Sequence, residues 1–165
     1  MTDQPAPLYS YESSVDIAAP PELVWHLVTA MERYGEWSSE NQGGYWRKNA
    51  DGVPYTGLVG EEFVGINRRG DQEWKALVEI IERQEGASFA FVTGGTALNF
   101  VRWRYVIEPS ETGTRLTEQW ELRNLSSIMV EGGQAEVDRR VANAKESLEA
   151  TLVGMKAEAE RQAGA

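Results

Sequence analysis

GGQAEVDRRVANAKESLEATLVGMKAEAERQ, residues 132–162, is the stretch on which the fold turns. Val137, Val141, Ala144, Leu148, Thr151, Leu152, Met155 and Ala159 recur three or four positions apart, the period of a helix buried along one side. The opposite side carries Glu136, Asp138, Arg139, Arg140, Lys145, Glu146, Glu149, Lys156, Glu158 and Glu160. No proline interrupts it, and Gly132-Gly133 mark its start. At ~1.5 Å per residue the helix is roughly 40 Å long. A one-sided helix of that length needs a broad apolar surface, which the rest of the chain must supply as a curved sheet.

Working back from the helix, the chain reads as strands. Thr114 to Arg123 is predicted as the last of them, and Asn99 to Glu108 as the one before, with Pro109 and a turn over Ser110 to Gly113 between. Ser88 to Thr93, Glu73 to Arg83 and Glu61 to Arg68 are further predicted strands, parted by turns at Gly94-Gly95, Glu85-Gly86 and Arg69-Gly70-Asp71. Ser38 to Gly60 is the least regular region, with a strand expected around Tyr45 to Asn49 and a turn at Asp51-Gly52. Tyr9 to Ala18 reads as the first strand. Ala19-Pro20-Pro21-Glu22 then opens a helix running to about Ala30, because proline suits a first helical turn and an acid there meets the helix dipole. A second short helix is expected over Glu32 to Trp37. Residues 1–8 are expected to be a disordered tail and 9–162 a single domain. One strand, two helices, a run of hairpins and a long helix is an α+β order.

The net charge of −10 would repel a nucleic-acid backbone or an anionic membrane, so no nucleic-acid partner is expected. No cysteine and one histidine remove disulfides, thiolate metal sites and cysteine nucleophiles, and argue against zinc. No cofactor or metal is expected. MTDQPAPLYS lacks the basic and apolar regions of a signal peptide, and no apolar run approaches the ~18 residues of a membrane span. The expectation is a soluble cytoplasmic protein, with monomer and homodimer both open. Six Trp, six Tyr and four Phe are many for 165 residues, and some are expected to line a space rather than fill a core.

Three segments carry a resemblance: VDIAAPPELVWHLVTAMERYGEW, GEEFVGINRRGDQEW and WRYVIEPSETGTRLTEQWE. They resemble the START-like SRPBCC superfamily, and most of all its bacterial polyketide cyclase/dehydrase and lipid-transport members. The resemblance covers about Ser10 to the C-terminus. It implies the helix-grip fold, a seven-stranded antiparallel sheet wrapped around the C-terminal helix with a ligand cavity between them. It implies no shared active site, since Ala-Pro-x-x-x-Val-Trp and Gly-Thr-Arg-x-Thr-Glu are marks of fold rather than of catalysis.

Strand alternation says which side chains face that cavity. In the last strand Leu116, Glu118, Trp120 and Leu122 form the apolar row, which puts Glu118 inside. By the same test Trp103, Tyr105, Ile107, Trp74, Ala76, Val78, Ile80, Phe89 and Phe91 face in. So do Phe63, Gly65, Asn67 and Arg69, although Val64 and Ile66 compete for the same face. A carboxylate among Leu116, Trp120 and Trp103 would be partly desolvated, which raises its pKa toward that of a general acid or base. The competing readings pair Glu118 with an arginine across the sheet or turn it to water at a bulge. Tyr105 is a hydrogen-bond donor to a ligand oxygen, or a core residue with its hydroxyl at the rim. Asn67 orients a polar group or caps its own turn. Arg69 clamps a carboxylate or is a solvated turn residue. Trp37 lies where the resembling family places residues of the cavity mouth. Trp46, with Tyr45, forms a lid or patches the sheet edge. His26 falls away from the buried side of its helix and is assigned to the surface. Ser38-Ser39 has no supporting His or Asp for a hydrolase triad, and Thr93-Gly94-Gly95-Thr96 lacks the Lys-Ser/Thr of a phosphate loop.

Three functions compete. The first is binding of a hydrophobic small molecule, aromatic or polyketide- or lipid-like, in the cavity. The second is a cyclase, aromatase or dehydratase in which Glu118 and Tyr105 move protons. The third is a regulatory protein acting through protein contacts, marked by an exposed apolar patch on the long helix or the 43–58 loop.

Overall fold

The computed structural model describes residues 4–164. Strand β1 (Tyr9–Ile17) leads into helix α1 (Pro21–Thr29) and a 3-10 segment (Met31–Glu36). The strands β2 (Asn41–Trp46), β3 (Glu62–Arg69), β4 (Gln72–Gln84) and β5 (Ser88–Thr93) follow. A single helical turn, α2 (Gly95–Leu98), joins β5 to β6 (Val101–Ser110); β7 (Gly113–Leu122) and the long α3 (Ser127–Ala163) complete the chain. The seven strands form one antiparallel sheet in the order β1-β7-β6-β5-β4-β3-β2. It wraps around α3, which is the helix-grip arrangement.

Local chemistry explains the elements. Pro21 sits in the first turn of α1 with Glu22 beside it, while Val24, Trp25, Leu27 and Val28 are buried. The bulge between Ile80 and Glu82 in β4 interrupts the ladder, and a bulged strand bends at such a point. Leu148, Leu152, Met155 and Ala159 on α3 are fully buried. Each of the three larger ones stabilises the fold by about 1.5–3 kcal/mol through lost water contact. Trp37 packs so closely on α3 that a Cβ added at Gly154 would lie 2.8 Å from the Trp37 Cβ.

Several details differ from the sequence expectation. The long helix begins at Ser127, yet Gly133, at φ 67 and ψ −162, breaks its helical geometry, so the regular rod still starts after the glycine pair. Gly94-Gly95 does not close a tight hairpin; Gly94 is left-handed at φ 81 and α2 follows it. β2 begins at Asn41 rather than near Tyr45, because Asn41 pairs with Asn67 across a bulge. Of the expected disordered tail, Met1 to Asp3 lie outside the described residues. From Gln4 the chain follows the sheet: Arg102 donates to the Gln4 side chain, Arg123 to the Pro5 carbonyl and the Leu8 N–H to Leu122. No helix among the described residues is long and apolar enough to cross a membrane.

Candidate functional site

The helix packs closest to β1, β7 and α1, and the sheet's other half curls away from it. Small residues face one another across the gap: Gly65 on β3, Ala76 on β4, Thr93 on β5, and Ala144, Ser147 and Thr151 on one stripe of α3. Between these small residues and the aromatic rings around them a hollow remains. It has two adjoining chambers, of about 100 Å³ and about 200 Å³, which share Glu40, Asn67, Ala76, Thr93 and Trp103 as walls.

Glu118, Tyr105, Phe63, Phe91, Asn67 and Trp103 line the inner chamber, together with Met31, Tyr34, Ser38, Asn41, Ser147 and Thr151. Glu118 is 1% exposed. Its Oε1 accepts a hydrogen bond from the Tyr105 hydroxyl at 2.9 Å, and its Oε2 has no partner among the described residues. Burial pushes the Glu118 carboxyl well above the ordinary carboxylate range; the Tyr105 hydrogen bond opposes this, and the Glu149 charge adds to it. Burial likewise raises the Tyr105 and Tyr34 hydroxyls far above the usual phenol value, so both stay donors. Tyr34 donates to the Val28 carbonyl, and its ring lies 6.1 Å from that of Tyr105, edge to face. No arginine among the described residues pairs with Glu118, and at 1% exposure it is turned away from bulk solvent. Its strand is regular through this point, with Glu118 opposite Tyr105 and Ser13.

Arg69, Trp74, Trp103 and Trp120 line the outer chamber with Gln72, Met129, Arg139, Arg140 and Asn143. Trp103 and Trp120 lie 6.5 Å apart, tilted. Arg69 Nε donates to Glu40 Oε1 at 3.3 Å, whereas its Nη2 is buried without a partner among the described residues. The Asn41 amide donates to Asn67 Oδ1 at 3.3 Å, tying β2 to β3 at the boundary between the chambers.

Two sequence candidates sit elsewhere. Trp46 is on the edge strand, where its ring meets Phe63 edge-on at 5.0 Å and its Nε1 donates to Glu32; Phe63 takes the place on the wall. Trp37 is buried against Gly154, under the Arg33 guanidinium, and does not line either chamber. His26 is exposed, as expected from its helix face. Sequence reasoning passed over Tyr34 and Ser147, and weighed Ser38 only as a hydrolase nucleophile. Ser147 carried a legible signal, since it lies three residues after Ala144 on the buried stripe, where a polar group needs a partner. That partner is Ser38, at 2.9 Å between hydroxyls. Ser38 also accepts the Glu40 and Asn41 N–H groups, and so anchors the start of β2 to α3.

Solved structures place this fold among known ones. The polyketide-cyclase-like protein Cgl2372 from Corynebacterium glutamicum is 28% identical, with 93% of this chain and 92% of that chain aligned and a TM-score of 0.64. A START superfamily protein from Mycobacterium smegmatis shares the fold at 13% identity, TM-score 0.61, over 93% of this chain and 98% of that one. So does the di-domain ARO/CYC StfQ of the steffimycin biosynthetic pathway, at 13% identity and TM-score 0.71, over 94% of this chain and 52% of that one. No curated protein matches the chain. A family model described as polyketide cyclase / dehydrase and lipid transport matches residues 9–160, nearly the whole domain, and the chain belongs to that family.

Proposed function

We propose that this protein binds a small, planar, largely apolar molecule between its sheet and α3, and that Glu118, as a neutral carboxyl, donates a hydrogen bond to an oxygen of that guest. The observation that carries this is the unpaired Glu118 Oε2. Tyr105 already donates to Oε1, so the proton of the neutral carboxyl belongs on Oε2, in a residue that lines the hollow. A buried donor without a partner costs about 1–3 kcal/mol, a cost that a ligand oxygen would remove. The aromatic walls suit a ring system. Together the chambers reach only the lower end of the ~300–1,000 Å³ usual for small-molecule sites, which favours one or two rings over an extended chain.

Native mass spectrometry of freshly purified protein, read for a co-purified small molecule, is the first test. Titration with 2-acetylnaphthalene, a two-ring ketone, is the second. The wild type is expected to bind it, and Glu118→Leu to bind it roughly fivefold to tenfold more weakly. Equal affinity in the two proteins would refute the role given to Glu118.

The buried Tyr105–Glu118 pair favours a second reading, a cyclase-, aromatase- or dehydratase-type enzyme. There the cavity holds a reactive chain near its productive geometry while the pair moves protons. Glu118→Gln separates the two readings. It should abolish turnover of a true substrate and leave affinity largely intact; if neither protein turns over anything it binds, the enzyme reading falls.

A further inference from the structure

We propose that the outer chamber is a carboxylate-recognising subsite read by Arg69, so that the guest is a small monocarboxylate with its acid group at the mouth and its rings toward Glu118. This rests on the reading of the hollow as a ligand site. Two independent observations point the same way. The first is the Arg69 guanidinium, whose Nη2 is buried and unpartnered among the described residues although its Nε is paired with Glu40. A planar fork with one prong engaged and the other free suits a carboxylate oxygen. The second is the local charge. Arg69, Arg139 and Arg140 line the chamber. Glu40 pairs with Arg69, and Glu136 pairs with both Arg139 and Arg140. Three cations against two anions leave one positive charge, in a protein whose net charge is −10. One carboxylate neutralises that excess. A phosphate ester, close to two negative charges at neutral pH, would overshoot it. Trp74, Trp103 and Trp120 supply apolar walls of the same chamber, and Trp103 also lines the inner one.

The test uses the full-length protein and matched two-ring probes: 2-naphthoate, its neutral amide 2-naphthamide, 2-naphthyl phosphate and the ketone 2-acetylnaphthalene. The wild type should bind 2-naphthoate roughly tenfold or more tightly than 2-naphthamide, the worth of one charge-assisted hydrogen bond. It should bind the phosphate more weakly than the carboxylate. Arg69→Gln should collapse the acid-to-amide ratio toward one, and Arg69→Lys should restore part of it. Ketone and amide binding with no preference for the acid would overturn this inference and leave the cavity reading standing. Tighter binding of the phosphate would likewise overturn it. An acid preference that survives in Arg69→Gln would move recognition away from Arg69. Failure of all four probes would refute both readings together. The wild-type ratio requires no variant to fold, and Arg69 is partly exposed with Glu40 as its ion-pair partner.

Discussion

Replacing Glu118 by glutamine should make the protein more stable relative to the wild type as pH rises. In the folded chain burial lifts the Glu118 pKa well above 4.5, whereas in the unfolded chain the carboxyl returns to its ordinary value. Between those two values the unfolded state has lost the proton and the folded state has kept it. The unfolded state therefore binds fewer protons, and this residue's contribution to stability falls with rising pH by about 1.4 kcal/mol per pH unit. Glutamine has the same shape, accepts the Tyr105 hydroxyl through its carbonyl oxygen and carries no titratable proton. At about pH 5 the two proteins should lie within about 1 kcal/mol of each other, since both bury one unpaired donor. Above about pH 5 the variant should gain steadily on the wild type for as long as the folded carboxyl keeps its proton. For a chain of this size each 1 kcal/mol of that gain is about 2–4 °C in Tm. Urea unfolding of both proteins across a pH series measures the difference, in which all other titrating groups cancel. A difference that stays flat with pH would mean that Glu118 ionises normally in the folded state, and the reasoning would fail.

Tyr105→Phe removes the only partner of Glu118 Oε1 among the described residues and should cost about 1–3 kcal/mol by urea unfolding. Because that hydrogen bond holds the Glu118 pKa down, its loss should also extend the falling limb of stability to higher pH. Gly154→Ala sets a methyl group 2.8 Å from the Trp37 Cβ. Overpacking of about 1–3 kcal/mol should outweigh the helix-propensity gain of up to ~1 kcal/mol, and a Tm at or above wild type would contradict the close approach. Ser147→Ala breaks the tie to Ser38 and should lower stability by about 1 kcal/mol in thermal or urea unfolding. Ala76→Phe should fill the wall shared by both chambers and weaken 2-acetylnaphthalene binding by roughly tenfold or more, at a cost of no more than ~3 kcal/mol.

How much of this was legible in the sequence depended on whether a period governed the residue. The inward stripe of α3 and the inward row of β7 follow the helical and strand periods, so the burial of Glu118 could be read directly from Leu116, Trp120 and Leu122 around it. Tyr105 followed from the same alternation in β6. Periodicity cannot say which inward residues touch empty space. That is set by the sizes of side chains brought together from different elements, here Gly65, Ala76, Thr93, Ala144 and Ser147. For the same reason Trp37, placed at the mouth by the family resemblance, and Trp46, read as a lid or an edge patch, were not located by the sequence: the Gly154 notch and the shielding position of Phe63 are long-range contacts. Tyr34 lies in a 3-10 segment, where neither period applies. The paired state of Arg69 depended on Glu40, an acid in the irregular stretch that the sequence left without a fixed position.

A crystal structure of the protein soaked with 2-acetylnaphthalene tests the central claim most directly. The expected result is the ring system lodged between Phe91, Trp103 and α3, with the ketone oxygen within hydrogen-bond reach of Glu118 Oε2. Saturating ligand with that space still empty, or density found only on the outer face of the sheet, would contradict it.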